Sequence, residues 1–317
     1  PSGTTERIAY DTIAKGFGAG VNGPLVIAVT YPAGGSIPPN LVSSIQNTPG
    51  VVTVVPPSSP TTINAADNTA VITVIPSTSP DAAATTALIN KLRSSTIPEA
   101  IKGTQAQAYV GGETATFIDL GDRVKDRLPF FILAVVLLSF ILLMMVFHSV
   151  VIPATAAAMN LLSVGAAYGV TVAVFQWGWG IELIGLDATI PIVSFIPMMM
   201  FAVLFGLSMD YQVFLLTRIR EEYDEKKDTR AAVVAGVSKT ARVITSAALI
   251  MITVFGAFVF NPTPLIKMFG LGLAVAVAVD ATLVRMILVP SLMEIFGKAN
   301  WWFPKWLNRM LPKINIE

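Results

Sequence analysis

Pro129-Phe-Phe-Ile-Leu-Ala-Val-Val-Leu-Leu-Ser-Phe-Ile-Leu-Leu-Met-Met-Val-Phe147 contains no charged side chain and a single serine. About 20 mostly apolar residues in helical conformation cross roughly 30 Å of hydrocarbon, so this stretch reads as a membrane-spanning helix. Four further stretches satisfy the same test, at approximately Val150–Phe175, Pro191–Leu216, Ala241–Phe260 and Leu265–Met293. His148-Ser149 joins the first pair and Asn261-Pro-Thr-Pro264 the last, so each pair is expected to form an antiparallel hairpin. The chain as a whole agrees. Its 317 residues are 54% hydrophobic and only 13% charged, with a mean hydropathy of +0.69, values that a water-soluble fold of this size sustains poorly.

The apolar residues are unevenly distributed, which predicts the domain organisation. Pro1–Arg127 reads as a polar-punctuated domain, Leu128–Phe296 as a five-helix α-helical membrane bundle, and Gly297–Glu317 as an amphipathic tail. Orientation follows from the Lys/Arg bias of the connections. Arg218, Arg220, Lys226, Lys227, Arg230, Lys239 and Arg242 cluster between the third and fourth spans, and Lys298, Lys305, Arg309 and Lys313 follow the fifth. Both segments are expected on the cytoplasmic side of a cell membrane. Gln176–Thr189 has no Lys or Arg and carries Trp177 and Trp179 as interfacial anchors, which places it, and with it Pro1–Arg127, outside. Trp301-Trp302-Phe303-Pro304-Lys305-Trp306 mixes aromatics and bases, as in a short helix at the inner membrane interface. The chain opens on Pro1 with no initiator Met and no charged-then-apolar leader, so a processed product or an excerpt of a longer chain is expected.

Before the spans, Pro24–Tyr31, Val51–Val55, Ala70–Ile75 and Gln107–Val110 read as strands. Helices are expected over Thr5–Gly16, from the Pro38–Pro39 turn to about Gln46, and over Ala82–Arg93 behind a Ser79 N-cap. The order βαββαβ is that of an α+β ferredoxin-like domain, a fold that names no function by itself. Glu113–Asp126 reads as an amphipathic helix that leads into the first span and joins the two domains.

Composition and motif content exclude several classes. A net charge of +1 without a basic, aromatic-interleaved stripe gives no sign of a nucleic-acid partner. With no cysteine, disulfides, thiol catalysis and Cys-based zinc sites are excluded. No H-E-x-x-H, G-x-S-x-G or phosphate-cradling glycine loop occurs, and the only histidine is His148, so neither an enzyme nor a cofactor or metal site is expected.

Polar residues inside the spans carry the functional signal. Asp210 lies in Phe205-Gly-Leu-Ser-Met-Asp-Tyr-Gln-Val-Phe-Leu-Leu216. A charge at the centre of a bilayer helix costs roughly 2.5–3.5 kcal/mol on insertion scales, so it is retained where it has a task. Asp210 is either a proton-loading group or a structural hydrogen-bonding residue. Gly206, Leu207, Val213 and Phe214 share its face, while Ser208 and Tyr211 point roughly 160° and 100° away. Asp210 and Tyr211 therefore each need a partner on another helix, with Thr245 and Ser246 of the fourth span as candidates for Asp210. Asp280 and Arg285, at i and i+5, are poorly placed to face each other on an α-helix. They read as structural, with Asp280 satisfied by another helix and Arg285 snorkelling to the cytoplasmic interface. Gly165-x-x-x-Gly169 and Gly270/Gly272/Ala274 read as faces for close helix approach, and Arg220–Asp228 as a solvated helix end.

Phe205–Tyr223, with Thr240-Ala-Arg-Val-Ile-Thr-Ser-Ala-Ala-Leu-Ile250, Lys267-Met-Phe-Gly-Leu-Gly-Leu-Ala-Val-Ala-Val277, Asp280-Ala-Thr and Arg285, resembles the MMPL (mycobacterial membrane protein large) transporters of the resistance-nodulation-division superfamily. Members of that family have two homologous halves, each with one helix, a porter domain and five more helices. The chain resembles the second half without its opening helix. The resemblance implies a proton-driven exporter of lipids or other hydrophobic molecules, with Asp210–Tyr211 as one of two intramembrane Asp–Tyr relays, each Asp facing the Tyr of the other half. Only one such motif lies in a span here, so an N-terminal homologous half is an implied partner, alongside protons, membrane lipids and a hydrophobic substrate. A sterol- or lipid-sensing module or a protein-translocation accessory on the same bundle is the alternative.

Overall fold

The computed structural model describes residues 3–59, 61–304 and 306–307. Two compact units divide the chain, Pro1–Arg123 and Val124–Glu317.

The first unit is an α+β domain. Strands β1 (Leu25–Thr30), β2 (Val51–Val55), β4 (Thr69–Pro76) and β5 (Gln107–Gly111) form an antiparallel sheet in the order β2-β4-β1-β5. The two-residue β3 (Ile63–Asn64) lies beside β4. Ile27 of β1 faces Ile72 of β4 on one side and Val110 of β5 on the other. Strand residues alternate across the sheet, so Leu25, Ile27, Val29, Ile72 and Val74 fall on one face and are fully buried. Helices α1 (Thr5–Phe17), α2 (Pro39–Gln46), α3 (Ala83–Lys91) and α4 (Ile97–Ala100) complete the domain. Leu41 and Ile45, one turn apart on α2, and Leu88 and Ile89 on α3 cover that face. Helix α3 starts at Ala83 rather than Ala82, and Ser79 does not cap it. Ser79 instead supplies a carbonyl to the Thr85 hydroxyl at 2.6 Å.

Gly112 turns the chain from β5 into α5 (Glu113–Phe147) with φ +100°, where a Cβ would stand 3.0 Å from the Pro24 carbonyl oxygen. Arg93 ties this corner together. Its Nη2 donates to the Val110 carbonyl at 2.7 Å and to Asp119 Oδ2 at 2.9 Å, and Nη1 donates to the other Asp119 oxygen. The fork thus fixes the first turns of α5 to the sheet. Both partners are partly exposed, so Arg93→Ala is expected to cost about 1 kcal/mol of domain stability. Faster amide exchange at the start of α5 would report the release, and unchanged exchange there would refute the role.

Among the described residues, five helices are long and apolar enough to cross a membrane. These are α5, α6 (Val151–Phe175), α7 (Ile196–Lys226), α8 (Thr229–Ala257) and a composite fifth. The last runs as α9 (Pro264–Val279), a π-helical segment over Asp280–Leu288, and α10 (Val289–Phe296). Helix α5 passes through Pro129 without a break. The charged segment between the third and fourth spans is almost wholly helical. Lys227, at φ 53°, ends α7, and the Asp228 side chain accepts from the Arg230 N–H to cap α8. Glu222 in this segment is not solvated as expected. It is 5% exposed and takes hydrogen bonds from Lys226 at 2.6 Å and from Lys239 of α8, closing the hairpin.

At the same end of the bundle, Asn300 is fully buried. Its Nδ2 donates to the Met293 and Gly297 carbonyls, and its backbone carbonyl accepts from the Ser149 hydroxyl. Trp301 stacks on Tyr223 at 4.2 Å and donates from Nε1 to Thr229. A 3₁₀ turn covers Gly297–Trp301 and Trp302–Pro304 is not helical, so of the expected interfacial helix only Trp306, with Leu307, is helical among the described residues. Lys305 and the tail beyond Leu307 lie outside the described residues.

The two glycine faces behave differently. A Cβ on Gly270 would sit 2.6 Å from Phe258 Cβ and 2.7 Å from the Phe255 carbonyl oxygen, whereas Gly165 and Gly169 have nothing within 4 Å. Gly270→Ala is expected to destabilise the bundle by about 1–3 kcal/mol through overpacking. Gly165→Ala in this chain should be neutral or stabilise it by up to about 1 kcal/mol through helix propensity. Thermal unfolding in detergent separates the two, and equal midpoints would contradict the packing argument.

Candidate functional site

The polar residues of the spans divide between two faces of α7. Asp210 and Gly206 are exposed on the outer face of the bundle, with Phe214 37% exposed beside them. Thr245 and Ser246 on α8 are also exposed, and no hydrogen bond joins either to Asp210. Among the described residues Asp210 has no hydrogen-bond or ion-pair partner. No hydrogen bond therefore ties it to Thr245 or Ser246 among the described residues.

Ser208, two residues earlier and roughly 160° around the helix, faces the interior and is 7% exposed. There it meets Asp280, 7% exposed, and Arg285, 3% exposed. Asp280 Oδ1 lies 2.9 Å from Ser208 Oγ and 3.2 Å from Ser163 Oγ of α6, and Asp280 Oδ2 accepts from Arg285 Nη2. The same Nη2 donates to the Ser208 carbonyl at 2.8 Å. Ser208 Oγ in turn lies 2.6 Å from Asn160 Oδ1, and Asn160 is 1% exposed. Tyr211 completes the group. The Arg285 guanidinium carbon stands 5.0 Å from its ring centroid, within cation–π range, and its hydroxyl lies 4.0 Å from Met251 Sδ.

This arrangement corrects the expectation for the i, i+5 pair. Asp280 does reach neighbouring helices, but Arg285 does not snorkel to the surface; it turns inward and pairs with Asp280. The cause is the backbone. A π-helix closes i→i+5 hydrogen bonds, seen here where the Val289 N–H donates to the Val284 carbonyl, and so stacks the fifth residue over the first. The desolvation cost of burying the pair is offset by their mutual attraction and by the hydrogen bonds from Ser163 and Ser208 to Asp280 and from Arg285 Nη2 to the Ser208 carbonyl, while Arg285 Nε has no partner among the described residues.

Asn160 and Ser163 are site residues that the sequence reading did not single out. They stand at i and i+3 on one face of a largely apolar span, a spacing that was available as a signal, because polar groups in hydrocarbon persist where they find partners. Ser208 was recognised only as pointing away from Asp210.

The arrangement can hold one buried, neutralised carboxylate inside the bundle and present a second carboxylate, one helical face away, outside it. The MMPL family model matches residues 38–313. Three relatives are similar. The mycolic acid-containing lipids exporter MmpL11 of Mycolicibacterium smegmatis is 41% identical over 98% of this chain and 33% of its own length. The heme uptake protein MmpL11 of Mycobacterium tuberculosis is 42% identical over 98% and 32%. The trehalose monomycolate exporter MmpL3 of Mycolicibacterium smegmatis is 35% identical over 72% and 22%. The chain spans about a third of the length of the MmpL11 relatives.

Proposed function

The chain belongs to the MMPL family, and from that premise we propose that it supplies the C-terminal half of a transporter that exports lipids or other hydrophobic molecules at the expense of the proton gradient. It is a multi-pass membrane protein, with five helices among the described residues long and apolar enough to span. Asp210 is the observation that carries the reading. A carboxylate on the outer face of a spanning helix, unpartnered among the described residues, is costly in lipid. It becomes intelligible as one side of an interface with a second, homologous half that supplies a tyrosine, in the same full-length chain or another.

In this reading, protonation of Asp210 removes a charge from the interface between halves, and ionisation restores it. Tyr211 serves the partner's Asp in the same way. Gly206 and Phe214 flank the contact, while Asp280 and Arg285 hold α7 against the fifth span so that the change is passed on as helix movement. The α+β domain lies outside the cell membrane and receives that movement through α5, opening and closing a path for an amphipathic substrate; the C-terminal end lies in the cytoplasm. The relatives' names attach mycolic acid-containing lipids, trehalose monomycolate and heme to those proteins. Their common chemistry, a large apolar body with a polar group, is the substrate class proposed here. Reconstitution of the complete protein in vesicles tests the reading. Proton flux that rises with movement of an acyl lipid supports it, and lipid binding without any flux would assign the bundle to a sensor instead.

A further inference from the structure

The end of the bundle that carries Gln176–Thr189 presents the two most exposed large apolar side chains among the described residues, Leu183 at 90% and Phe260 at 85%. Chain direction sets this end opposite the charged α7–α8 connection, since α7 runs away from it to Lys226 and α8 returns to it from Thr229. Trp177 and Trp179 are exposed on the same connection as Leu183. Large apolar side chains shown together mark a contact surface, whereas a single exposed leucine needs no explanation.

Ordered backbone holds both side chains out. Leu183 stands on the 3₁₀ turn Ile181–Ile184, bracketed by Gly180 and Gly185 at φ 66° and 68°, a region that favours glycine. Ile181 and Leu186, on either side of it, are buried with Phe175, Ile196 and Met268. Phe260 ends a second 3₁₀ turn, Phe258–Phe260, beyond α8. Lys267, buried in the first turn of α9, joins the two. Its Nζ donates to the Ile184 carbonyl and, at 3.0 Å, to the Val259 carbonyl. These residues are the sequence neighbours of Leu183 and Phe260, so one ammonium sets the two turns side by side. A cation is disfavoured at a helix N-terminus, and the two carbonyls compensate it here.

The surroundings of this tip indicate what meets it. Ile250, Val254 and Phe258, at i, i+4 and i+8, are exposed along one side of α8 and its 3₁₀ end and lead up to Phe260. The tip thus continues an apolar stripe of a spanning helix. The rings of Trp177 and Trp179 lie 5.6 Å apart, and such amphipathic indoles collect where hydrocarbon gives way to headgroups. The connection from Gln176 to Phe195 holds Glu182 and Asp187 but no Lys or Arg, which leaves nothing to attract an anionic surface.

We propose that Leu183 and Phe260 form a fixed tip that enters the acyl-chain boundary of the membrane at this end of the bundle, with Trp177 and Trp179 at headgroup level. Its partner is the surface of a neutral or zwitterionic phospholipid leaflet. The proposal requires that the bundle lie in a membrane and not that it transports, so a failure of export leaves it standing.

The test places a nitroxide label on an introduced cysteine, one site at a time, in the complete protein reconstituted in phosphatidylcholine vesicles. This chain has no cysteine of its own, and any in the remainder of the protein is first replaced by serine. Leu183→Cys, Phe260→Cys and Glu182→Cys all alter exposed side chains, so no packed contact is removed. Oxygen, which concentrates in hydrocarbon, and a neutral nickel chelate, which stays in water, each relax the label where they reach it. The oxygen-to-chelate ratio is expected to be high at positions 183 and 260 and to drop at 182, which a 3₁₀ turn sets about 120° away. A ratio at 183 or 260 no higher than at 182 overturns the proposal. A label at 183 or 260 that neither reagent reaches overturns it as well, because protein, such as a homologous half, then covers the tip in place of lipid.

Discussion

Asp210→Asn in the complete protein is expected to abolish proton-coupled export while leaving expression and thermal unfolding unchanged. The two halves of this expectation have separate grounds. Stability is spared because Asp210 is exposed on the bundle surface with no partner among the described residues, so the near-isosteric amide removes no contact within this unit. Activity is lost because an amide cannot take up and release a proton between the halves. A positioned proton-transfer group contributes on the order of a hundredfold or more, so residual export should fall by at least about that factor. Normal export by the variant, measured beside its unfolding midpoint, would remove Asp210 from the mechanism.

Breaking the buried ion pair should have the opposite profile. Arg285→Met leaves Asp280 buried among Ser163, Ser208 and Asn160 without its counter-charge, and removing one partner of a buried pair costs about 3–5 kcal/mol. Asp280→Leu strands the guanidinium similarly. The double variant Asp280→Leu/Arg285→Met replaces both charges by apolar groups of comparable size and should recover most of the loss, since an apolar pair in such a site is often neutral. Unfolding of the three variants in detergent measures the coupling. A double variant as unstable as the sum of the singles would mean that the two charges act independently, and the pair would lose its place as the element linking α7 to the fifth span.

Much of the architecture was legible in the sequence because it depends on local composition. Spans such as Pro129–Phe147 follow from the length of an apolar run against the thickness of hydrocarbon, and strands such as Leu25–Thr30 from β-branched alternation. The two faces of α7 were equally legible. Helical periodicity alone sets Asp210 on one side and Ser208 on the other, which is where the structure has them. What a periodicity argument could not supply was the environment of each face. Gly165/Gly169 and Gly270/Gly272 are the same signal in sequence, yet Gly270 packs against Phe255 and Phe258 while Gly165 meets nothing within 4 Å. The difference lies in which helix passes by.

The intramembrane carboxylates draw the same line. That Asp210 and Asp280 stand in spanning helices, and that each needs a partner from outside its own α-helical face, was determined by the sequence alone. Only the tertiary structure decided that Asp280 finds its partner five residues along its own segment. A π-helical turn winds wider than the α-helix assumed in the wheel, and the pair it forms is met by Ser163 of α6 and Ser208 of α7. Only the tertiary structure could show Asp210 facing outward, because the exposure of a helix face depends on every helix packed around it.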